Sequence, residues 1–274
     1  MTHTVKHLFE DDPVIMGVVN VTPDSFSDGG KYINKNNAVE HGITLLQEGA
    51  TILDIGGEST RPGSQIVDIQ EEIDRVVPVI KELSKHAPYI SIDTRNAATM
   101  RAALDAGANA INDISALTHD SESVVIAKKA QVPVFLMHMQ GTPQIMQKKP
   151  IYNNVVEDVY QYLKDRKTHC ETLGIDKENI ILDIGIGFGK TLEDNLLLLR
   201  NISKFHDLHC PLLLGTSRKS FIGALDNNAT AEERLPGSLS SIIWGRSQGV
   251  QMFRVHDVKE SVQALKIYDA IAGA

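Results

Sequence analysis

Hydrogen-bonding and charged side chains close or follow eight short apolar segments of this sequence. The residues are Asn20, Asp54, Asp93, Asn112, His138, Asp183, Lys219, Arg254 and His256. Carboxylates and amides can bind the N–H edge of a heterocycle, whereas arginine, lysine and histidine can hold an anion. Their recurrence after all eight segments predicts one shared binding site.

Each of these residues also has a purely structural explanation when it is considered alone. Asp93 with Thr94 can cap a following helix, and Asn20 can open a turn. His138 can be a satisfied structural histidine, and Asp183 can brace a glycine-rich turn. Only the repeated placement of such residues at the ends of apolar segments favours function over structure.

A glycine-rich stretch, residues 183–190, follows the sixth apolar segment. Its spacing differs from that of the phosphate-binding loop, which ends in Gly-Lys-Ser/Thr. We therefore interpret its glycines as backbone that approaches a flat ligand closely. Cysteines and histidines do not occur at zinc-ligand spacing, so a zinc site is not expected.

The apolar segments that must position these residues are short, rich in β-branched residues and almost continuous. They span residues 14–19, 52–55, 89–92, 110–114, 134–137, 180–182, 212–214 and 250–255. Such segments are typical of parallel strands that are buried on both faces. Helical spacing separates them, as in Val39, Ile43 and Leu46 before Gly49, and the string Ile-Leu-Asp-Ile-Gly occurs at both 52–56 and 181–185.

Eight strand–helix units in a chain of 274 residues predict a closed (β/α)8 TIM barrel. We expect a single domain over residues 1–274, with residues 1–13 as an N-terminal extension. The alternative is an open doubly wound sheet, but the glycine fingerprint of that fold does not follow residues 14–19. In a barrel, the carboxyl ends of the strands carry the active site, which is where the polar residues lie.

Composition narrows the class of partner. The chain has 27 Lys and Arg against 35 Asp and Glu, a net charge of −8, which argues against nucleic acid or an anionic membrane as the main partner. The N-terminus shows no signal-peptide core, and apolar runs stay shorter than the ~20 residues of a membrane span. Two cysteines, Cys170 and Cys210, suggest reduced thiols in the cytoplasm.

Eight motifs resemble those of the dihydropteroate synthase family, in the family's order and over roughly residues 14–260. They are MGVVNVTPDSFSDGG (16–30), LDIGGESTRPGS (53–64), SIDT (91–94), INDIS (111–115), LMHMQGTP (136–143), LDIGIGFGK (182–190), GTSRKSF (215–221) and RVHD (254–257). The resemblance implies that 7,8-dihydropterin-6-ylmethyl diphosphate condenses with p-aminobenzoate in folate biosynthesis. It also implies Mg²⁺, a homodimer, and competition by sulfonamides for the p-aminobenzoate position.

The same resemblance assigns residues to each part of the site. The pterin would contact Asp93, Asn112, Ile114, Met137, Asp183, Phe188 and Lys219. The diphosphate would contact Asn20, Thr60, Arg61, Arg254 and His256, with the Asn20 oxygen on the Mg²⁺ ion. The p-aminobenzoate would contact Thr60, Pro62, Phe188, Lys219 and Ser220, and the catalytic set would be Asp93, Lys219, Arg61 and Thr60.

The expected mechanism is dissociative, with diphosphate leaving before the arylamine attacks. The breaks at 21–35 and 56–69 show little helical pattern, and the resemblance implies that they close over the substrates. The first of these breaks contains Asp24, Ser25 and Phe26.

Three alternatives share parts of this pattern. A methyltransferase acting on methyltetrahydrofolate would use the same pterin contacts, but should lack the STRPG loop and the Arg254–His256 pair. An aldolase-type barrel would use Lys219 as a Schiff base, although such a lysine is better placed within a desolvated strand. A pterin-binding subunit without catalysis is the third, and an assay for p-aminobenzoate-dependent diphosphate release distinguishes it.

Overall fold

The protein folds into a closed barrel of eight parallel strands in sequential order, which confirms the predicted (β/α)8 TIM barrel. The computed structural model describes residues 8, 13–22, 31–59, 63–64, 66–147 and 150–273, and the side chains of 31–34 are not described. The strands are β1 (Val14–Asn20), β2 (Ile52–Gly56), β3 (Ile90–Asp93), β4 (Ala110–Asp113), β5 (Val134–Met137), β6 (Ile180–Asp183), β7 (Leu212–Leu214) and β8 (Met252–Val255).

Helices follow the strands and cover the outside of the barrel. Those of the described chain are α1 (Lys31–Gln47), α2 (Ile69–Leu83), α3 (Ala97–Asp105), α4 (Glu122–Ala130), α5 (Val155–Leu173), α6 (Leu192–Arg200), α7 (Ser220–Leu225), α8 (Leu235–Ser247) and α9 (Val258–Ala272). Gly49 and Gly107, which follow α1 and α3, adopt φ of +107° and +114°, so they end these helices as expected. None of the described helices has the length and apolar character that membrane crossing requires.

One predicted loop is shorter in the structure. The first break was expected to extend over residues 21–35, but α1 begins at Lys31. The prediction for 31–35 was wrong because residues 31–37 (KYINKNN) contain only two apolar residues, Tyr32 and Ile33, and these are adjacent, so they show no helical period.

Side chains alternate along each strand between the barrel interior and the helix layer. One cluster of buried side chains fills the interior: Leu8, Val14, Met16, Ile52, Ala110, Phe135, Ile181, Leu213 and Met252. Intervening residues such as Ile15, Leu53 and Ile111 belong to a second cluster shared with the helices. Because both faces of each strand are buried, the strands appear in the sequence as continuous apolar segments.

The same alternation selects which polar residues face the barrel axis. Residues that follow a member of the interior cluster by two or four positions point to the same side of the strand, and they lie towards its carboxyl end. They are Asn20, Asp54, Asn112, Met137, Asp183 and Arg254, and Asp93 joins them because it pairs with Asn112 and Gly56 in the ladder. Asp113 has the opposite phase and instead accepts hydrogen bonds from Ser115 and Leu117 of its own turn.

Candidate functional site

Four side chains from four strands form one hydrogen-bonded cluster at the mouth of the barrel. Arg254 on β8 donates from Nε to Asp54 Oδ2 at 2.6 Å and from Nη2 to Asp93 Oδ2 at 2.8 Å. Asn112 on β4 donates from Nδ2 to the same Asp54 oxygen at 3.1 Å. A single guanidinium therefore bridges the ends of β2 and β3 and orients the neighbouring amide.

The charges in this cluster do not cancel, because two carboxylates share one guanidinium. Burial and the nearby Asp54 charge raise the pKa of Asp93 to about 7, although Arg254 acts in the opposite direction. Burial opposes the charge of Arg254, but the Asp54 and Asp93 carboxylates outweigh it and raise the pKa of the guanidinium. The cluster is thus a preorganised group whose protonation is set near neutral pH.

The sequence placed Asp54 among the polar residues of the apolar segments but assigned it no ligand, yet it is fully buried and accepts hydrogen bonds from both Arg254 and Asn112. Two signals were available in the sequence. Asp54 is the third residue of β2, in the interior phase, and its Ile-Leu-Asp-Ile-Gly string repeats around Asp183. What the sequence could not supply is its partner, since Arg254 lies 200 positions away.

A second cluster lies at the end of β6. Asp183 is buried, and its Oδ1 accepts from Gly185 N at 2.7 Å, so it does brace the glycine turn. Lys219 donates from Nζ to Ile186 O and lies 4.7 Å from the centre of the Phe188 ring. The carboxylate, the ammonium and the ring therefore share one wall of the mouth.

Burial shifts both charged groups of this wall toward neutrality. It raises the pKa of Asp183, while the Lys219 charge acts against that shift. It lowers the pKa of Lys219 to about 8, and here the Asp183 charge opposes the shift. Each group thus stabilises the charged form of the other.

His256 lies two residues beyond Arg254, and Ser217 holds its ring in orientation. Ser217 Oγ accepts from His256 N at 3.2 Å and lies 3.0 Å from His256 Nδ1. The hydroxyl can give its proton to Nδ1 or accept one from it, and in both cases the contact fixes the direction of the imidazole.

The remaining predicted residues divide into two groups. Ile114 and Met137 are buried, Asn20 is half-buried at the end of β1, and Ser220 is exposed as the first residue of α7. Thr60, Arg61 and Pro62 lie outside the described residues, as do Asp24, Ser25 and Phe26. The structure therefore brings Asp93, Asn112, Asp183, Phe188 and Lys219 to the barrel mouth and describes nothing of the loop contacts predicted for diphosphate and p-aminobenzoate.

Two glycines of the turn have a structural reason that the sequence did not indicate. A Cβ on Gly185 would lie 1.9 Å from His138 O, and one on Gly189 would lie 2.4 Å from Gln140 O. Both glycines also have positive φ, at 66° and 64°. They must be small because the turn packs against the protein's own β5 loop.

His138 is a satisfied structural histidine, which is one of the two interpretations that the sequence allowed for it. Its Nδ1 accepts from the buried Lys190 Nζ at 2.9 Å, and its ring lies edge-on to Tyr162 with centroids 4.9 Å apart. Burial and the Lys190 charge lower the pKa of His138 to about 3, so the imidazole is a neutral acceptor.

The turn after β3 is held by buried Glu72 of α2, a residue that the sequence did not single out. Glu72 accepts from Thr94 Oγ1 at 2.7 Å, Asn96 Nδ2 at 2.9 Å and Thr99 Oγ1 at 2.5 Å. Thr94 in turn accepts from Asn96 N at 3.2 Å. These bonds fix the strand end that presents Asp93.

Comparison with known proteins agrees with this geometry. Residues 16–256 match the family described as pterin binding enzyme. Dihydropteroate synthase of Escherichia coli (strain K12) is 44% identical over 263 residues, covering 96% of this chain and 93% of the relative. Xanthomonas albilineans dihydropteroate synthase, solved with 4-aminobenzoic acid, has a TM-score of 0.90 and 43% identity, covering 96% of this chain and 94% of that one. The Yersinia pestis dihydropteroate synthase, solved as a sulfonamide drug complex, has a TM-score of 0.90 and 44% identity, covering 96% and 95%.

The Asp93 pKa predicts a specific pH dependence of stability. A folded-state pKa of about 7, above the ordinary 3.8, means that the native state binds a proton that the unfolded state releases between these values. This stabilisation is complete below about pH 4 and is lost as the pH rises through about 7. We expect the free energy of unfolding of the wild type, relative to Asp93→Asn, to fall over that range in urea titrations. The free energy of unfolding of Asp165→Asn, a change on the exposed surface of α5, should follow that of the wild type at every pH. If the pH dependence of Asp93→Asn were parallel to that of the wild type, the raised pKa of Asp93 would be contradicted.

Proposed function

The chain belongs to the dihydropteroate synthase family of pterin-binding enzymes, and from this membership we infer that it condenses 7,8-dihydropterin-6-ylmethyl diphosphate with p-aminobenzoate to give dihydropteroate and diphosphate. The convergence of Asp93, Asn112, Asp183 and Arg254 at one barrel mouth carries this conclusion. The relatives are synthases, which sets aside the methyltransferase and aldolase alternatives.

Asp183 and Asn112 are suited to bind the edges of the pterin. Because Asp183 Oδ1 accepts from Gly185 N, the carboxylate is held in orientation, and its other oxygen and free lone pairs can accept the N–H groups of the ring. Asn112 donates its amide to Asp54, which leaves its Oδ1 as an acceptor. Charge-assisted bonds of this kind contribute about 1.5–3 kcal/mol each.

The faces of the pterin need apolar contacts as well as polar edges. Ile114 and Met137 are buried beside these groups, and Phe188 adds an aromatic face that Lys219 caps with its ammonium. Such a mixture of apolar walls with a few convergent polar groups is typical of a small-molecule site.

Arg254 and His256 are suited to hold the leaving diphosphate. Arg254 uses Nε and one Nη2 proton on Asp54 and Asp93, so the outer N–H groups of its fork remain for phosphate oxygens. His256 can add a donor from its imidazole, which Ser217 holds in orientation. These positive groups would therefore stabilise negative charge as it develops on the departing diphosphate.

We propose that the transfer is dissociative. The bond between the pterin methylene and the diphosphate oxygen breaks first, which leaves a cation delocalised into the ring. Asp93, in its ionised form, stabilises that cation from a fixed position beside Arg254. The amino nitrogen of p-aminobenzoate then forms the new bond to the methylene and loses a proton to solvent or to diphosphate.

The p-aminobenzoate would lie against Phe188, with Lys219 and Ser220 near its carboxylate. The Ser220 hydroxyl is exposed at the start of α7, next to Lys219, which precedes it in the chain. Sulfonamides share the shape of this substrate, so we expect them to compete for the same position. Thr60, Arg61 and Pro62 complete this part of the proposal and are outside the described residues.

We propose that Mg²⁺ assists, held by the Asn20 side-chain oxygen and by diphosphate oxygens. Mg²⁺ prefers oxygen ligands and keeps several waters, so one amide oxygen and a substrate suffice. Within the described part of the chain, no group of three or more His, Cys, Asp or Glu residues is placed to hold a metal, so substrate oxygens would complete the shell. When bound, the ion neutralises charge on the leaving group.

We further propose a homodimer in the cytoplasm. Two apolar side chains are exposed, Leu197 of α6 at 42% and Trp244 of α8 at 45%. The two helices lie side by side, since Trp244 Nε1 donates to Leu199 O at 2.8 Å. An exposed apolar surface of this kind supports a subunit interface. A monomer mass in sedimentation velocity would contradict the proposed dimer.

The cytoplasmic location is supported by the two cysteines. Cys170 and Cys210 are buried free thiols, which is typical of a reducing compartment.

A product assay tests the function directly. The purified chain, supplied with the pterin diphosphate and p-aminobenzoate, should form dihydropteroate that mass spectrometry detects, and the yield should fall when Mg²⁺ is removed by chelation. Asn20→Ala should then require more Mg²⁺ for the same rate. Failure to form product under any metal condition would overturn the proposed function, whereas equal Mg²⁺ requirements would remove only Asn20 from the metal site.

The substitution Asp183→Asn should weaken pterin binding by more than tenfold. An asparagine oxygen can still accept from Gly185 N, so the turn is preserved and only the charge and one acceptor are lost. Isothermal calorimetry with 6-hydroxymethyl-7,8-dihydropterin measures the effect, with Asp165→Asn as an exposed control. An affinity close to that of the wild type would remove Asp183 from this role.

The substitution Arg254→Ala should weaken the diphosphate substrate far more than the corresponding pterin alcohol. The alcohol lacks the phosphate oxygens that the guanidinium would bind. Comparing the two ligands on the same folded variant cancels any loss from the disturbed Asp54 and Asp93 carboxylates. Equal losses for both ligands would count against an anion pocket at this position.

A further inference from the structure

A buried lysine that has no predicted role in substrate binding packs against the glycine-rich turn of residues 185–189. Lys190 is only 2% exposed, yet its Nζ donates to Gly185 O at 2.8 Å, Phe188 O at 3.0 Å, and His138 at both Nδ1 (2.9 Å) and O (3.3 Å). One ammonium therefore joins the turn after β6 to the loop after β5.

Side chains, rather than regular secondary structure, hold this turn in shape. Each carbonyl oxygen from 185 to 189 accepts from a side chain: Lys190 serves the first and the fourth, and Lys219 serves the second. Gln147 donates to the third at 2.7 Å, and Tyr152 donates to the fifth at 2.6 Å. Lys190 is the most enclosed of these donors and the only one that holds two of the carbonyls.

The turn itself supports three groups of the mouth. Gly185 N orients the Asp183 carboxylate at 2.7 Å, Ile186 O receives the Lys219 ammonium, and Phe188 presents the ring below that ammonium. A shift of the turn would therefore move the pterin acceptor and the p-aminobenzoate wall together.

The chemistry of the four acceptors indicates more than space filling. All are neutral, namely one imidazole nitrogen and three carbonyl oxygens, so Lys190 buries its charge on hydrogen bonds without direct ion pairing among them. The ammonium has three N–H groups, so Gly185 O at 2.8 Å, Phe188 O at 3.0 Å and His138 Nδ1 at 2.9 Å can take one each, and His138 O at 3.3 Å shares one of them. An apolar side chain of similar length would fill the same space but would leave these carbonyls without their donor. Hydrogen bonds are directional, so the three donors fix the turn relative to the β5 loop.

We propose that Lys190 is a positioning residue for the transfer reaction. Its ammonium locks the 185–188 turn against His138, so that Asp183, Phe188 and Lys219 keep the orientation that the two substrates require. This inference rests on the proposed function of the same site, but it concerns a residue that does not touch either substrate.

Two substitutions test the proposal at graded strength. Lys190→Met keeps the length and removes every donor, whereas Lys190→Gln keeps one amide donor group. Lys164→Met, on the exposed surface of α5, is the matched control. For each folded variant, calorimetry with pteroic acid gives the dissociation constant, and steady-state assays give KM for p-aminobenzoate and kcat separately.

We expect Lys190→Met to raise the pteroic acid dissociation constant at least tenfold and KM for p-aminobenzoate severalfold, with a smaller effect for Lys190→Gln. Selective ¹⁵N-glycine NMR should show displaced amide signals for Gly185, Gly187 and Gly189. A residue with a structural role alone would lower the melting temperature but leave the dissociation constant of the folded protein unchanged.

The outcomes separate this inference from the function on which it rests. An inactive wild type and an inactive Lys164→Met would contradict the proposed function. An active wild type together with a folded Lys190→Met whose dissociation constant lies within twofold of it would overturn the role of Lys190. If Lys190→Met does not fold, Lys190→Gln decides, and if neither folds, Lys190 is a stability residue and the proposal is abandoned.

Discussion

The guanidinium of Arg254 lies between two buried carboxylates, and the mouth of the barrel is organised around this arrangement. Asp54 and Asp93 come from adjacent strands, and without a cation between them neither could remain ionised at low cost. Arg254 allows one site to contain both a negative and a positive group, and the proposed dissociative transfer requires both.

A second constraint is that the opposite wall of the mouth is built from irregular backbone. The 185–189 turn can exist there because glycines let it touch the β5 loop and because side chains satisfy its carbonyls. A regular helix or strand would not bring Asp183, Phe188 and the Ile186 carbonyl, which accepts from Lys219, so close together. The site therefore combines rigid strand ends with a turn whose carbonyls are satisfied by four side chains.

Much of this could be read from the sequence, because the relevant signals are local. Continuous apolar segments separated by helical spacing predicted the eight-stranded barrel, since strands buried on both faces leave no polar alternation. The motifs around Asp93, Asn112 and Asp183 indicated the family and predicted a pterin site at the strand ends. The boundary of α1 was missed because the two apolar residues of its first turn are adjacent, and adjacent residues give no helical period.

The sequence by itself thus determined the fold, the family and the residue types at the strand ends. The fold follows from the spacing of apolar segments, and the family from motifs of a few neighbouring positions that resemble its own. Only the tertiary structure decided the partners: Asp54 for Arg254, Glu72 for the turn after β3, and Lys190 for His138. It also showed that Gly185 and Gly189 are small for the sake of the protein's own backbone. The physical reason is that hydrogen bonds and close contacts depend on distances of a few ångströms between residues far apart in the chain, and strand register and loop packing alone set those distances.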